Sequence, residues 1–149
     1  MNRLNRKIEY ALMALKHMSH KYAGQLTTAK EICEATGSPF DATSRVMQLM
    51  AQKGILKSEQ GAQGGYLIIK DLSKVSFYDV VTTVLAPIEV VKCASGESDC
   101  ELFSTCNVQS PLQAFNLKLV DFYKSLPVTE LLHIPQAAKG ERWTQPAER

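Results

Sequence analysis

Apolar residues in the first third of the chain recur at three- and four-residue steps, and glycines interrupt this pattern at intervals. Such spacing places apolar side chains on one face of an α-helix. It predicts three helices, over residues 3–22, 28–37 and 38–54. Thr28 and Glu31 have the spacing of a capping box, which marks the start of the second helix.

The next segment, "GILKSEQGAQGGYLIIK", changes from a helical to a β pattern. Two β-prone runs, Ile55–Glu59 and Tyr66–Ile69, flank a Gly-rich turn and predict a β-hairpin. Two short helices with a tight connection, followed by a hairpin, are typical of a winged helix-turn-helix. We therefore expect a mainly α fold with a small β-wing.

Two further helices are predicted, one from Ser76 that ends before Pro87 and a longer one from Ser110–Pro111. The long helix carries an apolar stripe that a small domain cannot easily hide. We predict that this stripe forms part of a homodimer interface; the alternative is that it packs on the chain's own core. The stripe residues are Leu112, Phe115, Leu119 and Phe122.

The chain has 149 residues, of which 45% are hydrophobic and 21% charged, values typical of a globular protein. No apolar run approaches the length of a membrane span. Charged residues interrupt the apolar part of the N-terminal segment, which argues against a secretory signal. We expect a cytoplasmic protein with no membrane partner, in which disulfides are rare.

The charge is unevenly distributed. Residues 1–70 carry ten Lys or Arg against five Asp or Glu, whereas residues 71–149 carry seven against ten. A basic N-terminal half favours binding to double-stranded DNA. Candidates for base contacts lie in or beside the third helix: Ser38, Thr43, Ser44, Arg45 and Gln48. Candidates for backbone and wing contacts are Arg3, Lys53, Lys57, Gln60 and Gly61.

Three of the four cysteines lie in "KCASGESDCELFSTC", at Cys93, Cys100 and Cys106. Structural zinc usually uses paired C-x2-C knuckles and four ligands, which this spacing lacks. An iron–sulfur cluster tolerates thiolates on a loop and a fourth ligand that is not a thiolate. A thiol switch without a cluster is the alternative. No nucleotide-binding loop or catalytic dyad is evident, so we do not expect an enzyme.

The order of elements, the wing segment "GAQGGYLIIKDLSKVSFYDVV" and the cysteine triplet resemble the Rrf family of winged-helix iron–sulfur regulators, which includes IscR, NsrR and RirA. The resemblance covers about residues 3–133. It implies a homodimeric transcription factor on a palindromic operator, with a [2Fe–2S] or [4Fe–4S] cluster held by the triplet. The signal would be redox state, nitric oxide or iron supply.

The fourth ligand differs from one branch of that family. IscR-like members have a His three residues after the last cysteine, where this chain has Gln109. NsrR-like members use a carboxylate from the first helix of the other subunit, and the matching residue is Glu9. The resemblance therefore implies Glu9 as a ligand, and a carboxylate is a labile partner for iron. Gln60 stands where IscR has an Arg in the wing.

These expectations divide the chain into three parts. Residues 1–72 form the DNA-binding domain, whose first helix also packs at the dimer and cluster site. Residues 73–133 form the cluster-binding loop and the dimerisation helices, and residues 134–149 form a flexible tail.

Binding to DNA should weaken steeply with salt, because basic side chains that neutralise phosphates release counterions. Between roughly 50 and 200 mM salt, we expect the affinity for a duplex to fall by about 100-fold or more. Fluorescence anisotropy with a labelled duplex measures this change. An affinity that does not vary with salt would contradict DNA binding by the basic half.

Overall fold

The computed structural model describes residues 3–94 and 100–135. Six helices, two strands and one 3-10 turn follow in the described ranges: α1 (Arg6–Ser19), α2 (Ala29–Thr36), α3 (Phe40–Gln52), β1 (Leu56–Glu59), β2 (Gly65–Ile68), the 3-10 turn (Leu72–Lys74), α4 (Phe77–Val84), α5 (Gln109–Ser125) and α6 (Val128–Leu131). The strands pair antiparallel, with Leu56 opposite Ile68 and Glu59 opposite Gly65. The mainly α fold with a small β-wing is confirmed.

Local capping sets the helix boundaries. Helix α1 begins later than predicted because the Asn5 side chain accepts a hydrogen bond from Lys7 N at 2.9 Å. At the start of α2, the Thr28 hydroxyl accepts from Glu31 N at 3.1 Å. The helix ends at Gly37, whose φ of 73° is the left-handed conformation that suits glycine. Ser76 caps α4, as the sequence predicted.

The wing is hydrogen-bonded to the connection between α1 and α2. Thr27 and Tyr66 exchange two backbone hydrogen bonds, of 3.0 and 2.9 Å. At Gly65, a Cβ atom would lie 2.9 Å from the carbonyl oxygen of Thr27, too close for any larger residue without a shift. Glycine at this position therefore allows β2 to approach the helical part of the domain.

One hydrophobic core joins the winged helix to the segments that follow it. Its buried members come from most elements: Ile8, Ala11, Ala14, Leu15, Met18, Ala29, Ile32, Val46, Met47, Met50, Ile55, Leu56, Leu72, Val75, Phe77, Val80, Val81, Val84, Val128 and Ile134. The core contains residues from both sides of position 72. The boundary predicted there between the DNA-binding and cluster-binding parts therefore does not divide the structure into two separate cores. Ile134, the first residue of the predicted tail, is buried in this core, and from residue 136 onward the tail lies outside the described residues.

The chain returns to the core after α5. Val128 N donates to Val75 O at 2.8 Å, and Phe77 N donates to Leu126 O at 2.7 Å. The ammonium group of Lys16 in α1 donates to Leu132 O at 2.6 Å, which satisfies a carbonyl at the end of α6. The first two bonds join the beginning of the α4–α6 region to its end, and the third ties α6 to α1 of the winged helix.

Helix α5 packs on α4, where the rings of Phe77 and Tyr123 lie 4.8 Å apart between centroids. Asn116 is the buried residue of this helix, and much of its remaining surface is open. No helix in the described ranges is long and apolar enough to cross a membrane.

An ion-pair group links α1 and the following turn to α2. The Glu31 carboxylate lies 2.5 Å from Lys21 Nζ and 3.1 Å from His17 Nε2. The hydrogen bond from Lys21, with a smaller one from His17, holds the pKa of Glu31 below its ordinary value. A lowered carboxylate pKa stabilises the folded state above the unfolded pKa, and this contribution is lost as pH falls.

We therefore expect Glu31→Gln to lower the melting temperature at neutral pH, with the difference from the parent protein shrinking as pH falls below about 4. Thermal unfolding followed by circular dichroism across this range measures the effect. Glu34→Gln is the control, because its pair with Lys30 is exposed and 3.9 Å long. A difference between Glu31→Gln and parent that is the same at every pH would contradict the role of Glu31.

Candidate nucleic-acid interface and cysteine segment

The packing of α3 determines which of its side chains face outward. Thr43, Val46, Met47 and Met50 are buried and hold the helix against the core. Arg45 and Gln48 are exposed, and Ser44 is half-buried. These three residues were predicted to contact bases, and each has surface with which to do so. Arg pairs well with guanine and Gln with adenine in a major groove.

Ser38 and Thr43 occupy a different environment. Thr43 is fully buried and its hydroxyl donates to Ser38 Oγ at 2.9 Å. The Thr36 hydroxyl also lies 2.9 Å from Ser38 Oγ, and Cys33 Sγ lies 3.7 Å from it. Both hydroxyls are engaged inside the turn between α2 and α3 and have little surface to offer base edges, so their role as base contacts stays a prediction.

The predicted backbone and wing contacts lie on the surface. Arg3, Lys53 and Lys57 are exposed. Lys57 Nζ lies 2.6 Å from Glu59 Oε1, but both side chains are open to water, where such pairs contribute little and exchange readily. The wing tip is exposed at Gln60 and Gly61, and Gly61 has a φ of 117° that favours glycine.

Phe40 was not among the sequence-based candidates. It is the first residue of α3 and is 55% exposed. Its spacing of seven residues from the buried Met47 suggests a core position. Thr43 in the same turn is fully buried, however, while the Phe40 ring at the start of the helix remains outside. The sequence signal was only that an aromatic residue follows Pro39 at the beginning of the helix.

The cysteine segment is attached to α5 at its beginning. Gln113 Nε2 donates to Cys93 O at 2.8 Å, and the buried Asn116 Oδ1 accepts from Val90 N at 2.9 Å. Cys93 is buried, whereas Cys100 and Cys106 are half-buried. All four cysteines of the chain are free thiols, so none is committed to a disulfide. Sequence reasoning missed both polar anchors on α5.

The donor types fit an iron–sulfur cluster better than a hard metal ion, since thiolates are soft ligands. Within residues 3–94 and 100–135, however, no three His, Cys, Asp or Glu side chains come together as a metal-binding group. Part of the loop, including Gly96, Glu97 and Asp99, lies outside these ranges. Within the described residues of one chain, the three thiols therefore do not come together as a set of three ligands.

Glu9 lies on α1, far from the cysteine segment in sequence. Its Oε2 atom is 2.7 Å from a guanidinium nitrogen of Arg6, and the Arg6 side chain is mostly exposed. An ion pair of this kind is weak in water and leaves the carboxylate available to a second partner. Its role as a ligand stays a prediction.

The apolar stripe of α5 lies largely in solvent. Phe115 and Phe122 are 51% and 57% exposed, while Leu112 and Leu119 are half-buried. The chain's own core therefore does not cover this face. Its use in a dimer stays a prediction.

A winged helix with a polar, outward-facing recognition helix is an architecture of DNA-binding transcriptional regulators. The family model Rrf2, described as an iron-dependent transcriptional regulator, matches residues 4–134. The chain therefore belongs to the Rrf2 family of transcriptional regulators. This confirms the resemblance seen in the sequence and the expectation of a transcriptional regulator.

Individual relatives agree with this assignment. The HTH-type transcriptional regulator IscR of Escherichia coli is 24% identical over 150 residues, covering 99% of this chain and 91% of IscR. CymR, the global cysteine regulator of B. subtilis, superposes with a TM-score of 0.65 at 17% identity, over 91% of this chain and all of CymR. IscR of T. potens gives 0.65 at 17% identity, over 89% and 87% of the two chains. These two solved structures show the shared fold.

Substitutions at buried positions of the helix-turn-helix should lower the stability of the protein, whereas substitutions at exposed positions should weaken DNA binding. Ser38→Ala should lower the free energy of unfolding by about 1–3 kcal/mol, because buried hydroxyl partners lose their hydrogen bonds. Arg45→Ala should change it by less than about 0.5 kcal/mol, as expected for an exposed site, while weakening DNA binding about ten-fold or more. Urea unfolding and duplex titration measure the two quantities. Equal effects of both variants on stability would contradict this assignment.

Proposed function

We propose that the protein is a homodimeric, cytoplasmic regulator that binds a palindromic operator and senses redox state, nitric oxide or iron supply through an iron–sulfur cluster. Cys93, Cys100 and Cys106 of one subunit and Glu9 of the other would hold the cluster. One observation carries this proposal: three free thiols share a segment anchored to α5, and the outer face of that helix is uncovered.

DNA recognition would use the outward face of α3. Ser44, Arg45 and Gln48 would meet base edges in the major groove, where hydrogen-bonding side chains distinguish base pairs. The backbone contacts would come from Arg3, Lys53 and Lys57, with Gln60 and Gly61 approaching from the wing. This set omits Ser38 and Thr43, whose burial supports a structural role.

Dimerisation would cover the stripe on α5. Burial of apolar surface is favourable by about 25 cal/mol per Å², so covering Phe115 and Phe122 stabilises a dimer. A two-fold interface also places two copies of α3 at a fixed separation, which matches two half-sites of a palindrome. The same symmetry can bring Glu9 of one subunit to the cysteine segment of the other.

The bound cluster would supply iron whose ligation changes with oxidation, nitric oxide or iron supply. The chain's own residues would convert that change into movement. Gln113 and Asn116 hold the start of the cysteine segment on α5, and Glu9 belongs to α1, which packs directly on α3. Release of Glu9 would let α1 and α3 shift relative to the dimer axis, so that the two recognition helices no longer match both half-sites.

A thiol switch without a cluster is the second candidate. Staphylococcus aureus CymR, described in an oxidized form, shares the fold with a TM-score of 0.65 at 18% identity. In the chain itself, the free thiols of Cys100 and Cys106 are half-buried and accessible to oxidants. Iron and acid-labile sulfide measured after anaerobic purification separate the two mechanisms, because the thiol switch contains neither.

The dimer interface can be tested with a charge on the stripe. Phe122→Glu should convert the dimer to a monomer at micromolar concentration, because burying an unpaired carboxylate is costly. Sedimentation equilibrium measures the change. Leu117→Glu is the matched control, since Leu117 lies on the opposite flank of α5 and is 64% exposed. If Phe122→Glu dimerises as tightly as this control, the stripe is not the interface.

The ligand set can be tested at Glu9. Glu9→Ala should shorten the lifetime of the reconstituted cluster in air about ten-fold or more, because loss of a direct ligand should cost at least as much as loss of a group that only orients one, which is about 10- to 100-fold. The visible absorption spectrum follows the loss, and thermal unfolding checks that the protein stays folded. Glu34→Ala, which removes an exposed carboxylate on α2, should leave the lifetime unchanged. An unaltered spectrum and lifetime in Glu9→Ala would remove Glu9 from the ligands.

DNA affinity should also depend on the cluster. Anaerobically reconstituted protein and protein stripped of iron should bind the same duplex, at the same salt concentration, with affinities that differ about ten-fold or more. Equal affinities would contradict cluster control of DNA binding and leave DNA binding itself intact.

A further inference from the structure

Phe40 is an exposed aromatic side chain on an otherwise polar surface. It is 55% exposed at the first position of α3, and it is absent from the residues that pack against the core in the described part of the chain. Single exposed apolar residues are common on protein surfaces, so the exposure of Phe40 alone implies no partner. Its place on α3, beside the proposed base contacts, is what indicates one.

The position of Phe40 indicates where that partner lies. Residues four apart on a helix form a row along one face, and Phe40, Ser44 and Gln48 make such a row on α3. Ser44 and Gln48 are two of the proposed base contacts. Phe40 extends their row toward the beginning of the helix, the part of a recognition helix that approaches base edges.

The chemistry of the ring restricts what it can recognise. Phe40 has no hydrogen-bonding group, and charged phosphates do not favour a desolvated phenyl ring. Among the base-pair edges in the major groove, the distinctive apolar group is the C5-methyl of thymine, which apolar side chains contact. The alternative is a contact with deoxyribose, which carries no sequence information.

We propose that Phe40 reads a thymine methyl group at one position of each operator half-site. This inference rests on the proposed binding of DNA by α3. It makes Phe40 a specificity-determining residue beside Arg45 and Gln48, which recognise hydrogen-bonding groups. The helix would then combine one apolar contact with the polar contacts of Ser44, Arg45 and Gln48 within three turns.

The test uses duplexes selected from a random pool by the full-length protein. Each thymine in the selected site is replaced in turn by deoxyuridine, which lacks the methyl group and keeps the base pairing. The parent protein should lose about four-fold in affinity per half-site at one symmetric position, the effect expected for one buried methyl group. At other thymines the loss should be under about two-fold.

The variant Phe40→Ala should bind the thymine duplex about five-fold or more weakly and should not distinguish it from the deoxyuridine duplex. Phe40→Leu, which keeps an apolar contact, should retain part of the discrimination. Tyr22→Ala is the matched control, because it removes an exposed aromatic residue outside α3 and should keep the parent's affinity and discrimination. Thermal unfolding checks that each variant is folded.

The outcomes separate this inference from the function on which it rests. If the parent protein binds a selected duplex but no deoxyuridine substitution affects it, the methyl contact is wrong and DNA binding stands. If Phe40→Ala weakens both duplexes equally and retains the parent's discrimination, Phe40 contacts the backbone and the inference is overturned. If no duplex is enriched, DNA binding fails and the inference fails with it.

Discussion

The packing of α1 against α3 is the contact on which the other features depend. Ala11, Ala14 and Leu15 of α1 are fully buried, as are Met47 and Met50 of α3. Small residues let two helices approach closely, and close packing transmits a displacement because the interior cannot be compressed. The helix with the candidate ligand Glu9 and the helix with the candidate base contacts therefore belong to one packed unit.

The two faces of helix α5 have different surroundings. One side packs on α4 and, through Gln113 and Asn116, fixes the beginning of the cysteine segment. The other side leaves Phe115 and Phe122 in solvent. A change in the cysteine segment thus acts on the same helix whose outer face is proposed to meet a second subunit. In this arrangement, the proposed sensing and the proposed dimer geometry would share one element.

A cluster of hydrogen-bonded hydroxyl groups holds the turn between α2 and α3 in one conformation. Ser38 accepts from Thr43, and both lie inside the turn with Thr36 and Cys33 nearby. Satisfied buried polar groups are specific, since any other arrangement leaves a donor unpaired. This turn and the packing of α3 on the core together leave Arg45 and Gln48 facing outward. Residues that fix the position of the helix are therefore different from those proposed to contact DNA.

The sequence by itself determined the elements, their order and the family, because caps, glycine turns and apolar periodicity act over a few residues. Thr28, Gly37 and Ser76 lie where the helices begin or end. Only the tertiary structure decided that Thr43 is inside and Phe40 outside, although Thr43 is polar and Phe40 is apolar. Burial depends on neighbours distant in the chain. For the same reason, the spacing of the three cysteines could indicate them as candidate ligands, but it could not predict how their thiols are arranged in space.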